Sequence, residues 1–145
     1  MKLVLQRVAN ATVYIEGKTV AKISKGLLIF FGVEKNDNSD KVNYLADKAL
    51  TLRIFQDDKG KMNFSCLDVS GEVLVISQFT LAGDCTKGKR PSFDNAAQPK
   101  EAKFLYRQFI EKVSKSGLTV KEGEFGANMQ VELVNDGPVT FFLSR

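Results

Sequence analysis

The residues best suited to chemistry lie in Ser77-Gln78-Phe79-Thr80-Leu81, where two hydroxyls and an amide directly follow the apolar run Val73-Leu74-Val75-Ile76. No turn signal separates the two, so strand alternation places Ser77 and Phe79 on one face and Gln78 and Thr80 on the other. Polar groups at the end of a buried strand must be paired, hydrated or used. They can bond to neighbouring backbone, or form a small pocket in which a hydroxyl and main-chain amides face a reacting carbonyl. A second segment, Asn135-Asp136-Gly137-Pro138-Val139-Thr140, sets Gly-Pro inside a run that otherwise reads as strand. Met129, Val131 and Leu133 alternate with polar neighbours before it, and Val139 to Leu143 is apolar after it. Proline gives the ladder no hydrogen bond, so the strand must be interrupted, edged or turned there. The segment is either a simple turn or a loop that recognises a ligand through carbonyls and amides rather than side chains. The third is the basic loop Lys87-Gly88-Lys89-Arg90-Pro91-Ser92-Phe93, followed by Lys100, Lys103, Arg107, Lys112 and Lys115. These cations are a solvated face, or Lys89 and Arg90 clamp phosphates while Phe93 stacks a base.

The chain has no histidine. That excludes Ser-His-Asp and Cys-His catalysis and removes the commonest zinc ligand. Cys66 and Cys85 are too few and too isolated for a disulfide framework; two free thiols in a cytoplasmic protein are expected, with no metal and no cofactor. An enzyme of this composition needs an already activated substrate, or catalysis by positioning and backbone electrostatics. A net charge of +4 favours polyanionic partners. No apolar run approaches the ~20 residues of a membrane span, and no signal-peptide pattern opens the chain, so no membrane partner is expected.

The elements that must position these residues read as one α+β domain over 1–145, with mixed or antiparallel sheets, or a barrel-like sheet pair, covered by two helices. Lys2 to Val8 and Ala11 to Glu16 read as two strands, and Glu16-Gly17-Lys18 as a hairpin turn into Thr19 to Ile23. Leu27 to Val33 is continuously apolar, as in a strand buried on both faces. A capped helix follows, with Val42, Leu45, Ala46, Ala49 and Leu50 at helical spacing. Leu52 to Phe55 reads as strand, Asp57-Asp58-Lys59-Gly60 as a turn, and Glu72 to Ile76 as another buried strand. Pro99 suits the first turn of a second helix carrying Ala102, Leu105, Tyr106, Phe109 and Val113, and Gly117 stops it. Strands fill the remainder.

Together these pieces resemble the D-aminoacyl-tRNA deacylases of the bacterial and eukaryotic type, the D-tyrosyl-tRNA deacylase family, essentially end to end. Two signatures are intact, Ser77-Gln78-Phe79-Thr80-Leu81 and Asn135-Asp136-Gly137-Pro138-Val139-Thr140. Gln6-Arg7-Val8, Leu52-Arg53-Ile54-Phe55, Gly60-Lys61-Met62-Asn63, Gly88-Lys89-Arg90-Pro91-Ser92-Phe93 and Gly123-Glu124-Phe125-Gly126-Ala127 support them. Asn128 stands where many relatives have aspartate, and Cys85 lies in a variable loop; neither touches a signature.

The resemblance implies a homodimer that hydrolyses the ester joining a D-amino acid to the 3′-terminal adenosine of tRNA, with active sites at the subunit interface. In the family the Gly-Pro bond is cis, and Gly137-Pro138 of one subunit would reach the partner's pocket at Ser77, Gln78, Phe79 and Thr80. There main-chain N–H groups would stabilise the oxyanion and Thr80 would position groups rather than attack. Carbonyls of Gly137 and Pro138 would hold the α-ammonium, so that an L side chain collides and glycine escapes. Arg7 would brace the partner's loop; Met129, Asn135, Lys89, Arg90 and Phe93 would support substrate binding. Two other readings compete: a non-catalytic RNA-binding module, and an editing domain that removes a mischarged L-amino acid.

Overall fold

The sheet is organised by its first strand, β1 (Lys2–Ile15), which pairs with three others. The computed structural model describes residues 1–145. On one edge, Lys2 to Val8 pairs with β3 (Gly26–Gly32) and Ala11 to Ile15 with β2 (Lys18–Ile23), both antiparallel. The other edge carries the last strand, β8 (Gln130–Ser144). The two strands expected before residue 16 are therefore one. Ala9-Asn10 contains neither Gly nor Pro to turn the chain, and the irregularity is absorbed as register shifts against β8 on both sides of Val8. Alternation changes phase there: Leu3 and Leu5 enter one core, while Val8, Ala11 and Val13 enter another.

Beyond β3 the pairing turns parallel. β6 (Glu72–Ser77) lies on β3 and β7 (Val120–Glu122) on β6. Parallel neighbours need long crossovers, and the two helices supply them, α1 (Ser39–Thr51) before β6 and α2 (Pro99–Ser114) before β7. The strand order is β2-β1-β3-β6-β7, yet β2 also touches β6 and β7, so this mixed sheet curls towards a barrel. Val8, Ala11, Val13, Leu28, Leu74 and Ile76 fill its interior. Leu27, Ile29, Phe31, Val73 and Val75 project from the outer face onto the helices, meeting Leu45, Ala49, Tyr106 and Phe109. β3 and β6 are buried on both faces, which is why they read as unbroken apolar runs.

One further local expectation fails. Leu52 to Phe55 is not a strand: Leu52 is the C-cap of α1, its amide still donating to the Lys48 carbonyl, and only Phe55–Gln56 (β4) pairs. Its partner β5 (Met62–Phe64) is too short for a periodic signal. No helix is long and apolar enough to cross a membrane.

The Met1 ammonium is buried and donates to Asp37 Oδ1 at 2.7 Å, to Glu34 and to the Arg145 carbonyl. Lys41 Nζ reaches the same Asp37 oxygen at 2.8 Å, and the Glu34 amide takes the other. Burial alone would raise the Asp37 carboxyl, but bonds from Lys41 and the ammonium outweigh it and hold it below the usual carboxylate range. Asp37→Asn is expected to cost about 3 kcal/mol in urea unfolding at neutral pH, because it takes from a buried ammonium the nearer and more buried of its two carboxylates, leaving only Glu34 at 3.3 Å. This carboxylate's contribution is present above its unfolded pKa and fades as pH falls through the lowered folded value. The wild type should therefore lose more stability on acidification than Asp37→Asn; parallel pH profiles would contradict this.

Candidate active site

A cavity of about 420 Å³ opens where β3 and β6 end, between the start of α2 and the segment Phe125 to Met129. Phe31 and Tyr106 lie at its base, Ala96, Ala97 and Ala102 form one wall, and Phe125 to Met129 the other. The Tyr106 hydroxyl donates to the Val75 carbonyl at 2.9 Å, tying α2 to the sheet beneath the cavity. Burial, then the nearby Glu122 charge, pushes that hydroxyl's pKa upward, so it stays a neutral donor. Three residues of the first signature line the cavity: Ser77, Gln78 and Phe79.

The expected alternation through this signature stops at Ser77. β3–β6 pairing ends at Phe31↔Ser77, the Gln78 amide still donates to the Phe31 carbonyl at 2.8 Å, and Phe79–Ala82 then winds into a 3₁₀ turn. Gly32 permits this. A Cβ on it would sit 2.9 Å from the Gln78 carbonyl oxygen and 2.8 Å from Leu81 Cβ, so only glycine lets the turn seat against β3. Phe79 is consequently 59% exposed rather than packed beside Ser77. The leading amides of the turn, at Phe79 and Thr80, have no acceptor within it, as at any helix start. Thr80 lies just outside the cavity lining and is exposed, its Oγ1 receiving Gln78 Nε2 at 2.6 Å. Gln78 is a neutral amide and no base for that hydroxyl. Cys66 is no nucleophile either, since burial pushes its thiol up to about 12.

The basic loop lies beside this turn. Phe93 packs on Phe79, ring centroids 4.9 Å apart and planes at 57°. Lys89 and Arg90 are exposed. On α2, by contrast, Arg107 pairs with Glu122 at 2.9 Å and Lys112 with Asp47 at 3.0 Å, so those two belong to the scaffold.

The second signature is a bulge on an edge strand. Gln6 pairs with Thr140 and Val8 with Asn135, so residues 136–139 stand opposite Arg7 alone. Of the three outcomes proline allowed, the edge is realised, because β8 pairs only with β1. Side chains hold the bulge. Asn135 Oδ1 accepts from the Val139 amide at 2.7 Å, and its Nδ2 donates to Thr140 Oγ1 at 3.0 Å. Arg7, 3% exposed, donates from Nε to the Asp136 carbonyl at 2.9 Å and from Nη1 to the Ile54 carbonyl. In this chain, then, Arg7 braces its own loop. The Gly137–Pro138 bond is cis, Gly137 has φ +151°, and both residues are exposed. Neither lines the cavity of its own chain, whereas Met129 does.

Sequence reasoning missed the alanine wall and the base of the cavity. Tyr106 read simply as helix core, and Ala96-Ala97 carried no signal beyond preceding Pro99.

A family described as D-Tyr-tRNA(Tyr) deacylase matches residues 4–144. A D-aminoacyl-tRNA deacylase of Thermosipho africanus is 57% identical over 143 residues, covering 99% of this chain and 96% of its own. One of Thermodesulfovibrio yellowstonii is 54% identical, covering 99% of each. A solved structure described as c-Myc DNA unwinding element binding protein superposes with a TM-score of 0.94 at 38% identity, over 100% of this chain and 99% of its own.

Proposed function

The chain belongs to the D-Tyr-tRNA(Tyr) deacylase family, and we infer from that membership that it hydrolyses the ester linking a D-amino acid to tRNA. The finer reading is a composite site, in which Gly137 and Pro138 of one protomer enter the cavity of another. One observation carries it. The two family signatures are both present, but Gly137-Pro138 stands exposed on a bulge and lines no part of its own chain's cavity. A second copy also accounts for the apolar surface of the edge strand, where Val134 and Phe142 are 52% and 57% exposed.

In this site the terminal adenosine enters the largely apolar cavity, and the ester carbonyl turns towards the Phe79 and Thr80 amides. Water attacks the carbonyl carbon, the developing oxyanion takes those N–H groups, and the ribose oxygen leaves with a proton. The substrate supplies much of the activation. Its α-ammonium withdraws electrons from the carbonyl, and the neighbouring ribose hydroxyl can assist proton transfer, which suits a site without histidine. The partner's Gly137 and Pro138 carbonyls hold the ammonium. With ester and ammonium fixed, the α-hydrogen and side chain have two directions left; a D side chain points to solvent and an L side chain meets the Gly-Pro backbone. Glycine has no side chain to reject, so glycyl-tRNA is also a substrate.

Thr80→Ala is expected to keep kcat within about tenfold of wild type, because the hydroxyl has no base and the amide, not the side chain, faces the oxyanion. Near-total loss with unchanged fold and unchanged tRNA affinity would make Thr80 the nucleophile instead. The experiment that tests the reading as a whole is ester hydrolysis on D-tyrosyl-tRNA beside L-seryl- and L-threonyl-tRNA. Hydrolysis of the L-esters alone would indicate an editing domain. Tight tRNA binding without hydrolysis would indicate a binding module.

A further inference from the structure

We propose that Phe79 and Phe93 form an aromatic step that stacks the nucleotide preceding the terminal adenosine, with Lys89 and Arg90 on its phosphate. This rests on the deacylase reading above and extends it to how the enzyme distinguishes tRNA from a free aminoacyl nucleoside.

The two rings are 59% and 39% exposed, yet they pack on each other at 4.9 Å. Phe79 lines the cavity and Phe93 does not, so the pair runs from inside the mouth to outside it. A strand that ends in the cavity must leave across this step, where its next base meets a free aromatic face. Base–aromatic stacking needs no hydrogen-bond code, which suits an enzyme acting on many tRNAs with a common 3′ end.

The loop bearing the cations is held in place beside the step. The Asp84 amide donates to the Ser92 carbonyl at 2.7 Å and the Ser92 amide to the Asp84 carbonyl at 2.9 Å. That bridge closes the segment 85–91 into a lobe whose end is Phe93 itself. Asp84 accepts from the Thr86 amide, which lowers its pKa and turns the carboxylate inward to the loop rather than towards Lys89 or Arg90. Lys87, Lys89 and Arg90 are exposed and take part in no ion pair, unlike Arg107 and Lys112 on α2. Asp94, next to Phe93, is likewise engaged locally, accepting from the Ser92 hydroxyl at 2.8 Å. Cations free of ion pairs beside exposed aromatics match a nucleotide's phosphate and base together.

The test compares kcat/KM for D-tyrosyl-tRNA with that for D-tyrosyl-adenosine, an ester that ends at the terminal nucleoside. In Phe93→Leu the ratio of the two falls about thirtyfold, the middle of the range for losing one stacked base. In Lys89→Ala/Arg90→Ala, tRNA affinity weakens less steeply with salt, the log–log slope being smaller by roughly 0.7 for the one phosphate the two cations share on a single strand. An unchanged ratio in Phe93→Leu overturns the proposal. So does an equal fall on both esters, which would place the terminal adenosine on the step instead. The exposed double variant gives an independent readout if Phe93→Leu folds poorly, and an unaltered salt slope there contradicts the phosphate contact. A wild type inactive on both esters would instead remove the deacylase reading itself.

Discussion

Purified protein should release D-tyrosine from tRNA at least ~10²-fold faster than L-tyrosine. The figure follows from how little misplacement an ester can tolerate. With the carbonyl at the Phe79 and Thr80 amides and the ammonium on the partner's Gly137 and Pro138 carbonyls, the α-carbon has no freedom to rotate. An L side chain then overlaps main chain, and main chain cannot change rotamer to make room. The substrate must shift by about 1 Å or more, enough to cost ~10² in rate. A rejection made by backbone should hold for apolar, acidic and aromatic side chains alike. Glycyl-tRNA should be hydrolysed within about tenfold of the D-ester, losing neither anchor and meeting no clash. Equal rates for D- and L-tyrosyl-tRNA would remove the filter.

The second large effect is expected at Gly137. At φ +151° a side chain is strained whatever the space, and there is none: a Cβ would lie 2.7 Å from the Val139 nitrogen. Val139 is buried and its amide is bound by Asn135, so the glycine must yield rather than its neighbour. Gly137→Ala should therefore cost ~1–3 kcal/mol in stability and shift the loop's carbonyls. The rate on D-tyrosyl-tRNA should fall at least about 10²-fold and the D over L preference should shrink with it. The fold should survive, since the bulge is solvent-exposed and the strands on either side keep their pairing. Full activity with intact selectivity in a folded Gly137→Ala would show that this loop does not read chirality.

Much of this was legible in the chain before its structure. Unbroken apolar runs located β3 and β6, which are buried on both faces, and helical spacing located α1 and α2, each of which buries one broad apolar face. The short β4 and β5 left no such trace. Leu52 to Phe55 misled because β-prone residues there serve a helix exit. Both signatures were found by residue type and order, and the loop's exposure follows from proline's missing donor. The break after Ser77 was not legible, because it depends on Gly32, 45 residues upstream in sequence and one strand away in space. Nor was the role of Arg7 within its own chain. A cation near the N-terminus carries no sign of the carbonyl it will meet on β8.

The central claim is that the chirality-reading loop and the cavity it serves come from different protomers, related by a twofold axis. Mixed dimers test it most directly. One protomer carries Gly137→Ala, and the other carries Ala127→Trp to fill the cavity that Ala127 lines. Each homodimer should be inactive. In the mixed dimer, the intact cavity of the first protomer meets the intact loop of the second, so D-selective hydrolysis should return at one of its two sites. A mixed dimer as inactive as both parents would contradict the account.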